Sequence, residues 1–131
     1  MALTQDRNTA SQKANAIVIA MAAGAYIHAG ALVVASATGF AEAGSTATGL
    51  TYLGRAEEAV DNTSGIDGAT EITIMRKRAF QFKNDGSITQ VNFGKECYIV
   101  DDETLAATDG AGTRSAAGIV VGIDSDGVWV E

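Results

Sequence analysis

The sequence lacks proline altogether and holds one cysteine, one histidine and one tryptophan. Each scarcity closes off a class of protein. A single cysteine, Cys97, cannot form an internal disulfide, so nothing in the chain requires an oxidising compartment. With His28 as the only histidine, a histidine-dependent triad has one available base, and no local signature surrounds it. Basic residues are few: nine Lys and Arg against sixteen Asp and Glu leave a net charge of −7. That balance argues against nonspecific nucleic-acid binding, which needs a basic surface to neutralise phosphates, and it favours solubility. No Walker loop, dinucleotide fingerprint or zinc spacing occurs.

The sequence is rich in glycine, at fifteen residues, and in small and β-branched side chains. Frequent glycine among Val, Ile and Thr favours short strands joined by turns. A length of 131 residues fits one domain around one core. That core should be thin, because many of the apolar residues are Ala. The run Ala14 to Ala37 is apolar but is broken by Gly24, His28 and Gly30. It falls short of the roughly 20 predominantly apolar residues a membrane span needs, and reads as two buried strands rather than a span or an export signal.

Met1 to Lys13 is polar and has no usable period, which by composition predicts a frayed terminus. Beyond it, strands are expected at Ala16–Ala22, at Tyr26–Ile27 continuing from Ala31 to Ala35, briefly at Phe40–Ala41, and at Thr51–Ala56. Gly44–Gly49 and Asp61–Ala69 read as loops. Thr70 to Phe82 is the longest strand candidate, with Ile72, Ile74, Phe80 and Phe82 on one face. Unbroken alternation would put Arg76 and Arg78 on that face too, where unpaired charge is costly, so the strand must bend near Arg76-Lys77-Arg78 or leave the core there. Ser87–Phe93 is a weak strand or loop. The segment from Gly94 onward is the most strongly patterned: a strand at Cys97–Val100, a turn at Asp101-Asp102, and a strand from Ala117 to Ile123 with Ile119, Val121 and Ile123 sharing a face. Asp124-Ser125-Asp126-Gly127 turns the chain into Val128–Val130, with Gly127 supplying positive φ. Short strands with turns every dozen residues point to an all-β barrel or sandwich.

Few side chains suggest chemistry. Cys97 opens an apolar strand and reads as a small buried hydrophobe. Asp101, Asp102 and Glu103, or Asp124 and Asp126, have the composition of a cation site. The D-S-D-G start of a calcium loop is not followed by its closing Glu, so solvated turns are the expectation. Arg76-Lys77-Arg78, with Lys83 nearby, is the one basic cluster. Three roles fit it: a protein interface, a charged strand edge that resists pairing, and, weakly, nucleic-acid contact.

Taken together, ALTQDRNT, AGALVVASATGFA, TGLTYLGRAEEAVDNTSG, the basic strand and GKECYIVDDETLAATDGAGTRSAAGIVVGIDSDGVWV resemble the capsid cement, or head decoration, proteins of tailed bacteriophages. The resemblance runs nearly the full length and rests on structural motifs. It implies a compact β-barrel or β-sandwich at 14–131 with an extended N-terminal arm at 1–13. It implies a non-enzymatic virion protein without cofactor or metal, made in the bacterial host cytoplasm and bound to the capsid exterior. The partner it implies is the major capsid protein, with self-association, most often as a trimer, and with neither direct nucleic-acid contact nor membrane. On this reading Met1–Lys13 becomes an ordering arm. The expected partner contacts are Leu3, Thr4, Gln5, Asp6, Arg7 and Asn8 on the arm, and Arg76, Lys77 and Arg78 on the basic strand. The alternatives are another virion β module from the tail or fibre, or a small hydrolase or metal-binding protein.

Overall fold

A computed structural model describes residues 1–131 and is all-β. Twelve strands follow in order: β1 (Ala16–Ala20), β2 (Tyr26–Ile27), β3 (Leu32–Ala35), β4 (Ala41–Ala43), β5 (Thr51–Ala56), β6 (Val60–Asp61), β7 (Glu71–Met75), β8 (Phe80–Asn84), β9 (Glu96–Ile99), β10 (Thr104–Ala106), β11 (Ala116–Asp124) and β12 (Gly127–Val130). Ser87–Phe93, read as a weak strand or loop, forms no strand and holds a short 3-10 turn at Gln90–Asn92.

The strands form two main layers. One is a five-stranded sheet in the order β1-β7-β5-β3-β4, and the other is a closed five-stranded barrel, β10-β8-β12-β11-β9. The barrel closes because β10 pairs parallel to β8 on one side and antiparallel to β9 on the other. β2 and β6 make a separate two-stranded ribbon.

Each layer has its own core. Phe80, Phe82, Cys97, Ile99, Leu105, Val120, Val128 and Val130 fill the barrel, and Met21, Ile27, Ile72 and Ile74 anchor the second cluster. β3 belongs to both. Its Leu32 and Val34 pack with the barrel, while Val33 between them packs with the other cluster. A strand alternates its side chains between two faces, so one apolar run, Leu-Val-Val, can wall off two cores at once. β5 does the same on a smaller scale: Tyr52 leans on the barrel core and Leu53 on the other.

Two strand expectations are corrected. Thr70–Phe82 is two strands in different layers, β7 in the sheet and β8 in the barrel. The break falls at Arg76-Lys77-Arg78-Ala79, where Lys77 takes a φ of 60°. Ile72 and Ile74 therefore share no face with Phe80 and Phe82; the two pairs enter different cores. In β11 Gly118 and Val120 are buried, while Ile119 points outward at 37% exposure. A bulge between Val120 and Gly122 shifts the register against β12, and Ile123 then packs against the barrel core. A bulge adds one residue, so it reverses which parity of the strand faces inward.

Polar side chains inside the fold tie loops down. The Ser115 hydroxyl accepts from the Leu50 amide and donates to the Ala47 carbonyl. The Asn62 amide donates to the Ala22 and Ile66 carbonyls.

Candidate interaction surface

Residues 1–13 are exposed throughout and carry no strand. No backbone hydrogen bond involves residues 1–14. Within the arm, the Arg7 guanidinium donates to the Thr9 hydroxyl. Leu3 is 61% exposed, so the arm carries an apolar side chain that its own domain does not cover.

The arm emerges beside the basic corner. β1 pairs antiparallel with β7, with Ala16 opposite Met75. One step further out, the Arg76 amide donates to the Asn15 carbonyl at 2.9 Å. The root of the arm at Asn15 thus lies beside Arg76, while no hydrogen bond or ion pair joins Leu3–Asn8 to Arg76–Arg78.

Lys77 and Arg78 are exposed and Arg76 is half-buried. The two ion pairs of the fold, Arg55–Glu57 and Lys83–Glu103, leave all three without a carboxylate partner. Lys83 instead pairs with Glu103, whose carboxylate accepts from its ammonium at 2.8 Å and raises its pKa. Lys77 in the left-handed region is a backbone conformation that lysine seldom adopts, and such outliers persist only where the surroundings enforce them. The sharp reversal lets the chain pass from sheet to barrel and leaves Lys77 and Arg78 exposed.

Behind this corner lies an open surface pocket of about 370 Å³ lined by Arg55, Arg78, Phe80, Gln81 and Trp129. The Arg55 guanidinium stacks 5.0 Å from the centre of the Phe80 ring. The Trp129 indole donates to the Asp124 carboxylate at 3.2 Å, which fixes its orientation.

Cys97 is fully buried, its thiol donating to the Gly118 carbonyl at 3.4 Å, and burial pushes its pKa up to about 11. A thiol held protonated this way is a poor nucleophile at neutral pH. The Tyr52 hydroxyl is buried with no hydrogen-bond partner, and desolvation drives its pKa well above the usual tyrosine range, with Cys97 adding to the shift. The exposed His28 ring leans on Tyr26 at 4.6 Å and shares a shallow surface pocket with Asp102 and Glu103. No hydrogen bond joins it to a serine or cysteine.

The Asp124 carboxylate accepts from the Asp126 and Gly127 amides, from Trp129 and from the Gln81 side chain. Those donors, the Asp126 amide foremost, lower its pKa. They also use the oxygens that a cation would need, and no three His, Cys, Asp or Glu side chains converge anywhere. No helix is long and apolar enough to cross a membrane.

The adjacency of arm and basic corner depends on the β1–β7 register, a long-range pairing that no local pattern encodes. The pocket beside Trp129 is equally long-range, since its residues come from three strands and from the break before β8. Comparison with family models, with characterised proteins and with solved structures finds no match to this chain.

Proposed function

We propose that this chain is a structural virion protein that decorates the outer surface of a tailed-phage capsid and stabilises contacts between major capsid subunits. It carries no reaction in this role. The sequence resemblance supplies the family, and one structural observation supports the mode of action: an arm of thirteen exposed residues is rooted beside three cations that lack partners. An extended chain covers about 3.3 Å per residue, so the arm reaches roughly 40 Å, enough to cross onto a neighbouring subunit. The cations steer the approach and set register against an acidic surface. Each contact is weak alone, and repetition across a lattice makes the coat stable through avidity. The chain would be made in the host cytoplasm and reside on the capsid exterior.

The test mixes purified chain with capsids that lack it and measures occupancy by electron microscopy. Removal of residues 1–13 should sharply reduce occupancy while leaving the melting temperature unchanged. Reversing the charge of Arg76, Lys77 and Arg78 together should weaken binding more at low salt than at high salt, because screening already removes the attraction at high salt. Full decoration by both variants would refute the proposal.

A further inference from the structure

Four Asp-Gly pairs occur in the chain: Asp67-Gly68, Asp85-Gly86, Asp109-Gly110 and Asp126-Gly127. This dipeptide is prone to rearrangement of its main chain, because glycine has no side chain to hinder its own nitrogen from reaching the carboxyl carbon before it. The reaction needs two groups free at once, the glycine N–H and the aspartate carboxyl. In three of the pairs the fold ties one or both. The Gly68 amide donates to the Met21 carbonyl at 2.8 Å, and the Asp67 carboxylate accepts from the Ala23 amide. The Gly86 amide donates to the Asn84 side chain, and the Asp85 carboxylate accepts from the amide and the hydroxyl of Ser87. The Gly127 amide donates to the Asp124 carboxylate.

Asp109-Gly110 differs from all three. It lies in the connection between β10 and β11, with Asp109 exposed. Neither the Gly110 amide nor the Asp109 carboxylate bonds any group of the protein. A cation stands beside the pair: a Cβ placed on Gly110 would lie 3.3 Å from both Cζ and Nε of Arg114. The Arg114 Nη1 donates to the Thr108 carbonyl at 3.1 Å, which holds the guanidinium there, and its buried Nε–H has no acceptor.

We propose that Asp109-Gly110 is a self-modification site, at which the main chain isomerises to an isoaspartyl link with the Arg114 guanidinium assisting. The Gly110 nitrogen attacks the side-chain carboxyl carbon of Asp109. The N–C bond forms, the C–OH bond breaks, and the hydroxyl leaves with the amide proton as water, which gives a cyclic succinimide. Water then opens the ring at the former main-chain carbonyl, so that the chain runs through the Asp109 side chain. One water is released and one is taken up, and no other reactant is needed. A positive charge beside the N–H stabilises the anion it becomes on losing its proton, and more strongly where burial shields that charge from water. In the unmodified loop the Asp109 carbonyl accepts from the Thr113 and Arg114 amides. Isomerisation turns that carbonyl into a free carboxylate and lengthens the chain by one carbon, so the loop leading to Ser115 loosens while the net charge stays the same. The inference stands apart from the capsid reading, because it concerns the chain alone.

The experiment holds the purified full chain folded in neutral buffer for weeks, with a parallel sample in urea. Both are then digested and read by electron-transfer mass spectrometry, which separates isoaspartyl from aspartyl peptides of equal mass. In the folded chain, isoaspartate at Asp109 should exceed that at Asp67, Asp85 and Asp126 on the order of tenfold or more, because the tied pairs must first open locally. In urea the four should converge. Arg114→Gln, checked for folding by circular dichroism, should slow the reaction at Asp109 severalfold in the folded chain and leave it unchanged in urea. Asp109→Asn serves if that variant does not fold: its side chain holds nothing in place, and it should lose ammonia at least as fast folded as in urea. An even spread over the four pairs in the folded chain, a maximum at another pair, an unchanged rate in folded Arg114→Gln, or protection of Asp109→Asn by folding would each overturn the proposal. None of these outcomes bears on whether the chain binds capsids.

Discussion

Gly127 offers the sharpest test of how the barrel is held together. It opens β12 with a φ of 155°, and a Cβ placed on it would stand 2.2 Å from the Phe82 carbonyl oxygen of the adjacent β8. Ordinary van der Waals contact begins near 3.4 Å, so alanine forces β12 and β8 apart by about 1 Å (3.4 − 2.2) at a wall of the barrel. The displaced pairs, Val128 with Phe82 and Val130 with Phe80, are core residues. Overpacking of this kind costs about 1–3 kcal/mol, and the backbone strain of a side chain at positive φ adds about 1–2 kcal/mol. Gly86 separates these two effects. It also has positive φ, at 103°, but a Cβ there meets nothing within 4 Å. Gly86→Ala should therefore show the backbone strain alone.

For a chain of this length each kcal/mol moves the melting temperature by about 3–4 °C. The melting temperature followed by circular dichroism should then fall by roughly 6–20 °C for Gly127→Ala and by roughly 3–8 °C for Gly86→Ala. Equal shifts, or a larger shift at Gly86, would refute the close-approach argument and leave Gly127 as an ordinary turn glycine.

Three further outcomes follow from buried and hydrogen-bonded groups. Tyr52→Phe removes a buried hydroxyl that has no partner, so urea unfolding should show unchanged stability or a gain of up to about 1–3 kcal/mol, the penalty of an unsatisfied polar group. Cys97 should resist alkylation by iodoacetamide in the native chain and react once urea unfolds it, because its thiol is buried and its pKa is raised to about 11. Asp124 has a folded pKa below the model-peptide value of 3.8. Its ionised form therefore contributes stability above that value, and the contribution fades as pH falls through the folded value. The stability difference between the chain and Asp124→Asn, measured by urea titration, should accordingly shrink as pH drops below about 4.

Local chemistry made much of the fold legible. Thr51–Ala56 is a strand with the expected bounds, and the turn at Asp124–Gly127 joins the expected hairpin. Neither Ser125 nor Asp126 takes positive φ, so the turn is not of the type that Asp-Gly suggests, and Gly127 is required chiefly by the nearness of β8. The errors arose where periodicity continued across a structural break. Ile72, Ile74, Phe80 and Phe82 stay in phase through Arg76–Ala79, so alternation alone cannot show that the chain changes layer. The charged tripeptide marked the place but not the geometry, since nothing about lysine announces a φ of 60°. The bulge in β11 misassigned Ile119 and Val121 for the same reason. The candidate surface was legible only in pieces. Met1–Lys13 stood out as polar and Arg76–Arg78 as basic, but the bond that sets Asn15 beside Arg76 is a product of tertiary register.

The strand shared by the two cores also governs how the molecule comes apart. Two clusters with separate walls could melt at separate temperatures, the weaker opening while the stronger held. Here Leu32 and Val34 leave the barrel in the same motion that takes Val33 out of the other cluster. Losing β3 from either side exposes both, so neither half has an independent unfolded state to visit. The chain should unfold in one transition, with a single denaturant midpoint whichever half is probed, and the slowest-exchanging amides should lie in β3 and its partner β5 rather than deep in the barrel.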